Sequence, residues 1–258
     1  QLGVMYQQGQ GVAQDDSKAV EWTRKAAEQG HTDAQSNLGL MYLQGDGVRQ
    51  DDSKAEKWIR KAAEKGYASA QHFLGLMYEH GRGVSRDDAK AAEWYRKAAE
   101  QGDAPAQNNL GNMYANGKGV SQDYAKAAEW YRKAAEKGYA SAQYSLGQMY
   151  RHGDGVRQDD SKAVSWYRKA AEQKDARAQF WLGVIYLYGK GVVRDYAKAA
   201  EWIRKAAEKG DADAQYNLGL MYLQGDGVQQ DDSKALEWFR KAAGQGHKKA
   251  QKLSKELQ

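Results

Sequence analysis

Shifting the sequence by 36 residues lays Leu2 on Leu38, Leu74, Leu110, Leu146, Leu182 and Leu218 with no insertion or deletion, and this period dominates what the chain can fold into. Seven units follow: 2–37, 38–73, 74–109, 110–145, 146–181, 182–217 and 218–253. Trp22, Trp58, Trp94, Trp130, Trp166, Trp202 and Trp238 share one column, and only Trp181 lies outside it. A short unit repeated in tandem cannot bury its apolar face alone, so neighbouring copies must stack.

Each unit reads as two helices. Pro105 is the only proline in 258 residues, so helices can run almost everywhere. In the second unit helix B is expected to follow Asp51, a carboxylate suited to the unpaired amides of a first turn, and to end before Gly66 at a left-handed position. Helix A then spans Ala68 to His80 and stops at Gly81. Pro105 falls in the equivalent first turn of the next copy, where its missing amide costs little. The loop Gly45 to Gln50 is short enough to force the helices antiparallel, with Val48 expected to plug the hairpin base. Ala55, Trp58, Ala62 and Ala63 in helix B, and Leu74, Met77 and Tyr78 in helix A, recur at helical spacing and form the expected core. Gly75 and Ala62 permit close helix approach.

The stretch LGLMYLQGDGVRQDDSKAEKWIRKAAEKGYASAQ, Leu38 to Gln71, resembles the Sel1-like repeat, a relative of the tetratricopeptide repeat, and the resemblance covers nearly the whole chain. It implies an all-α, right-handed superhelical solenoid acting as a bacterial scaffold or adaptor. It also implies a secreted or periplasmic site, though nothing in the residues excludes the cytoplasm. Some relatives neutralise a secreted effector as immunity proteins, and some cysteine-rich ones were described as penicillin-binding. This chain has no cysteine and no SxxK, so the last role does not transfer. The segment HKKAQKLSKELQ, about 247–258, replaces the LGxMY core with lysines and is expected to cap the stack. The chain opens partway through a repeat without methionine, and sequence is expected to precede it.

Columns that vary from unit to unit are those that stacking leaves free. In helix A they are the columns of His72, Leu76 and Glu79, spaced to share one face. Along the chain this stripe begins with Ser36, Leu40 and Leu43 and continues through His72, Leu76, Glu79, Asn108, Asn112 and Ala115. From there it becomes Tyr144, Gln148, Arg151, Phe180, Val184, Leu187, Tyr216, Leu220 and Leu223, with Tyr188 adding bulk. By analogy with tetratricopeptide repeats the stripe lines a concave groove. Tyr144, Phe180 and Tyr216 read as anchors for a protein or peptide partner, and Trp181 reads as a gap filler. Neutralisation of an effector, or stacking on a carbohydrate or cell-wall ligand, are the alternative readings.

Other constellations reduce to architecture. The ArgLys pairs from Arg24 and Lys25 to Arg240 and Lys241 make a basic ladder, but glutamates such as Glu93 stand three and four residues before Arg96 and Lys97, which favours ion pairs over nucleic acid. The net charge of +5 is interleaved rather than blocked. His80 and His152 lie two units apart, and the GDGVRQDD loop lacks the alternating ligands of a calcium loop. The GxG pairs that follow each helix A are turn punctuation, and no singular set of nucleophile, base and orienting group stands out. No metal, no cofactor and no enzyme activity are expected. No apolar run approaches the roughly 18 to 20 residues of a membrane helix, and the chain is expected to be monomeric on its own.

Overall fold

The computed structural model describes residues 2–257. Fifteen helices and no strand occur among them: α1 (Leu2–Gln8), α2 (Asp16–Glu28), α3 (Thr32–Gln44), α4 (Asp52–Glu64), α5 (Ala68–His80), α6 (Asp88–Glu100), α7 (Ala104–Asn116), α8 (Tyr124–Glu136), α9 (Ala140–His152), α10 (Asp160–Glu172), α11 (Ala176–Tyr188), α12 (Tyr196–Glu208), α13 (Ala212–Gln224), α14 (Asp232–Gly244) and α15 (Lys248–Glu256). Odd-numbered helices through α13 are helix A of a hairpin, and the even-numbered ones are helix B. The two ranges expected in the second unit, 52–65 and 68–80, match α4 and α5 to within one residue. The segment 247–258, expected to cap the stack, carries α15, and its last residue, 258, lies outside the described residues. Two compact units are formed, Gln1–Ala134 and Ala135–Gln258.

The caps explain why the helices start and stop in register. Asp51 Oδ1 accepts from the Lys54 amide at 2.9 Å, and Asp15, Asp87, Asp123, Asp159, Asp195 and Asp231 repeat the contact. The Lys54 amide and ammonium hold the Asp51 carboxyl below the usual carboxylate range. Helix A ends on a left-handed glycine, such as Gly81 at φ 69°, whose amide returns to Met77. Pro105 sits in the first turn of α7, where Asp103 accepts from the Ala106 amide at 2.8 Å. Lys174 holds φ 66° at the position that is glycine in the other repeats, such as Gly66 and Gly210.

Packing inside each unit follows from the small residues. A Cβ on Gly75 of α5 would lie 2.6 Å from the Tyr95 ring of α6, so the two helices of this hairpin touch directly. A Cβ on Gly83 would lie 2.2 Å from the Asp52 carbonyl oxygen, which places this loop on the first turn of the preceding helix B. Gly119 on Asp88 repeats the contact in the first unit, and Gly227 on Tyr196 repeats it in the second, each at 2.0 Å. Buried glutamines join successive hairpins: Gln71 Nε2 donates to Ala63 O at 3.1 Å, and Gln179 does the same to Ala171 O. Ala55, Ala62, Ala63, Leu74, Met77 and Tyr78 are buried, while Trp58 and Val48 are half-buried against that core. Fully burying a side chain such as Leu74 stabilises by about 2 kcal/mol.

Candidate functional site

Leu74, Gly75, Met77 and Tyr78 turn inward on α5, which leaves His72, Leu76 and Glu79 half-buried on one face. In the first unit this face is largely satisfied by the protein itself. The His72 ring lies 5.8 Å from that of Tyr95, and its Nε2 is 3.1 Å from Asn109 Nδ2. Burial lowers the pKa of His72, against the pull of Asp103 and Glu79. Glu79 Oε2 accepts from Tyr95 Oη at 2.6 Å, and Asn112 Oδ1 accepts from Tyr131 Oη at 2.7 Å. Asn108 is buried and Asn112 exposed. An open cavity of about 1130 Å3 at the first hairpin is lined in part by Leu2, Met5 and Ala34, whose equivalents Leu74, Met77 and Ala70 are buried.

The second unit presents rings on the same columns. Tyr144 and Tyr216 rest on the buried Tyr167 and Phe239 of the following helix B, with centroids 5.9 and 5.8 Å apart. Phe180 packs on Trp181 at 5.4 Å, and Tyr216 stacks on His247 at 4.5 Å. Tyr144, Phe180, Tyr216, Val184, Leu187, Leu220 and Leu223 are all half-buried, and Tyr188 is 66% exposed. Trp181 does more than fill a gap, because the Arg151 guanidinium lies 3.7 Å above its ring. Arg177 stands 4.4 Å over Tyr144 and pairs with Asp175 at 2.8 Å, which raises its pKa. Gln148 Nε2 donates to Tyr144 Oη at 2.6 Å.

The basic ladder serves the stack. Arg60, Arg96 and Arg204 each donate to a tyrosine hydroxyl on the next helix A, at Tyr78, Tyr114 and Tyr222, with distances of 2.8, 3.1 and 3.1 Å. Lys61, Lys97 and Lys205 lie 4.0–4.3 Å above Trp58, Trp94 and Trp202 of their own helix. The glutamate pairing expected from spacing occurs at Lys25, Lys205 and Lys241, each 2.6 Å from the glutamate four residues earlier. At the third hairpin, however, Arg96 and Lys97 engage Tyr114 and Trp94 instead of Glu93. Spacing within one helix reveals the glutamate pairs. The Arg to Tyr bonds span 18 residues and two hairpins, and only the shared period of both columns signals them. Among the described residues there is no cluster of three or more potential metal ligands, and no helix is long and apolar enough to cross a membrane.

Seven consecutive segments, 1–31, 32–67, 68–103, 104–139, 140–175, 176–211 and 212–247, match the Sel1 repeat. The crystal structure of c5321, a protective antigen present in uropathogenic Escherichia coli strains and displaying an SLR fold, is 44% identical, with a TM-score of 0.89. The match covers 98% of this chain and 54% of that one, so this chain spans about half the length of the antigen. A Sel1 repeat protein from Oxalobacter formigenes is 41% identical over 100% of this chain and 74% of that one, with a TM-score of 0.84. Immunity protein Pa5087 from Pseudomonas aeruginosa shares the fold at 24% identity and a TM-score of 0.51, over 80% of each chain. No curated protein matches this sequence.

Proposed function

Because the chain belongs to the Sel1 repeat family, whose members are typically devoted to protein–protein interaction and are generally non-enzymatic scaffolds, we propose that it binds a segment of a partner protein along the helix A face. The residues assigned to that role are His72, Leu76, Glu79, Asn108 and Asn112 on the first unit and, taken by itself, the set Tyr144, Gln148, Arg151, Phe180, Val184, Leu187, Tyr188, Tyr216, Leu220 and Leu223 on the second. The stronger set is that of the second unit.

One observation carries this reading. The Tyr144 and Tyr216 rings are each held against a fully buried ring of helix B, yet remain half-exposed. A ring fixed in this way loses little freedom when a partner covers it, so more of its contact area appears as affinity. Aromatic anchors surrounded by half-exposed aliphatic side chains, here Val184, Leu187, Leu220 and Leu223, are the composition of an interface centre.

A phage-displayed library of random peptides supplies a partner of defined chemistry. Replacing Tyr144, Phe180 and Tyr216 together with alanine is expected to weaken the selected peptides at least about 100-fold, since each anchor contributes about 1–2 kcal/mol. Changing the exposed helix B residues Glu129, Glu172 and Glu201 to alanine is expected to leave binding unchanged. Retained affinity in a folded triple ring variant, or selection of glycans but no peptide from parallel arrays, rules the reading out.

A further inference from the structure

Tyr95, Tyr131 and Tyr167 occupy one column, 36 residues apart, and each is buried. In the first unit the protein supplies an acceptor for the phenol: Glu79 for Tyr95 and Asn112 for Tyr131. In the second unit it does not. The residue equivalent to Glu79 is Arg151, a donor, and the residue equivalent to Asn112 is Gln148, which is engaged with Tyr144 Oη. Tyr167 is 0% exposed, and its hydroxyl is left without a hydrogen-bond partner among the described residues. Such an unpaired buried hydroxyl is destabilising, because it has given up water without gaining an acceptor.

The charge around this phenol is positive on the helix A face. The Arg151 guanidinium lies 3.7 Å from the Trp181 ring centroid with no carboxylate within ion-pair distance among the described residues, and Arg177 stands over Tyr144 beside its partner Asp175. Arg151 is half-buried, so part of it meets solvent. Burial raises the Tyr167 pKa while the Arg151 guanidinium beside it lowers it, which keeps the phenol a donor at neutral pH. A buried O–H and an uncompensated guanidinium, side by side where the first unit places a glutamate, form a cradle lacking one negatively charged acceptor.

We propose that the missing acceptor arrives with the ligand: Tyr167 and Arg151, flanked by Tyr144 and Trp181, hold the carboxylate of an aspartate or glutamate side chain on the bound protein segment. The carboxylate takes the place that Glu79 fills for Tyr95, accepting from Tyr167 Oη and pairing with Arg151. The inference rests on the helix A reading above and adds the chemistry of its partner: the bound segment is acidic at one position, beside apolar residues that meet Phe180, Leu187 and Leu220.

The test uses the full chain and the same displayed peptides, synthesised with amidated C termini so that only side chains carry carboxylates. Each acidic peptide is paired with a twin bearing Asn or Gln. Wild-type protein is expected to prefer the acidic member about tenfold, a difference typical of a charge-assisted hydrogen bond. Arg151→Gln is expected to abolish the preference, Arg151→Lys to restore part of it, and Tyr167→Phe to cut it at least about threefold while leaving the thermal midpoint unchanged or higher. Twins that bind equally to wild type, while the triple ring variant loses both, overturn the carboxylate site alone. A preference that survives both Arg151→Gln and Tyr167→Phe also overturns it. Failure of every peptide to bind wild type removes both this inference and the helix A reading.

Discussion

Gly83→Ala is expected to destabilise the protein by roughly 2–5 kcal/mol, the sum of left-handed strain at about 1–2 and forced displacement of packed backbone at about 1–3. Gly83 has φ 69°, and a Cβ there would sit 2.2 Å from the Asp52 carbonyl oxygen and 3.2 Å from Met77 Cε. The carbonyl cannot yield cheaply, because Asp52 opens α4, whereas the Met77 methyl need move only a few tenths of an ångström. Gly66→Ala is the matched control. Its φ is 89°, but a Cβ there meets nothing within 4 Å, so only the backbone strain of about 1–2 kcal/mol remains. Urea unfolding followed by helical circular dichroism measures the two losses. Equal losses would mean that the loop does not bear on the preceding hairpin.

Tyr95→Ala is expected to cost about 3–5 kcal/mol, because the ring is fully buried in the space that Gly75 leaves open and its removal creates a large cavity. The substitution also removes the support of His72 and the donor to Glu79, so the loss extends from the core to the helix A face. Tyr95→Phe separates the two contributions. It keeps the ring and deletes one hydrogen bond to a carboxylate, at a cost of about 1.5–3 kcal/mol. Tyr167→Phe deletes an unpaired hydroxyl and is expected to be neutral or stabilising. The same change at equivalent positions thus carries different expected signs, and thermal denaturation of the two variants checks it. Equal destabilisation by both would show that Tyr167 has a partner after all.

The helices, caps and core were legible in the sequence because stacking imposes the same demand on every copy. Asp51, Gly81 and Leu74 recur wherever a helix must start, stop or be buried, so seven repeats act as seven readings of one local rule. The columns of His72, Leu76 and Glu79 were legible as a shared face for the complementary reason: variation marks where stacking makes no demand. Interactions set by side-chain conformation across hairpins were not legible. Spacing within helix B points Lys97 to Glu93, yet Trp94 offers its ring to the ammonium at 4.0 Å. Spacing also makes Arg151 one more groove residue, and nothing local says that it lies on Trp181 from the next helix A. The unpartnered Tyr167 hydroxyl is a fact about three neighbours at once. It becomes visible only when Gln148 is seen to turn toward Tyr144.

The helix A face is tested most directly by photo-crosslinking a selected peptide to the folded chain. A benzophenone side chain is placed singly at Val184 and Leu220 on the proposed face, and at the exposed Glu129, Glu172 and Glu201 on helix B. Crosslinks from Val184 and Leu220, absent from the three glutamate positions, are the predicted result. Crosslinks from the helix B positions with none from Val184 or Leu220 would contradict a partner-binding helix A face.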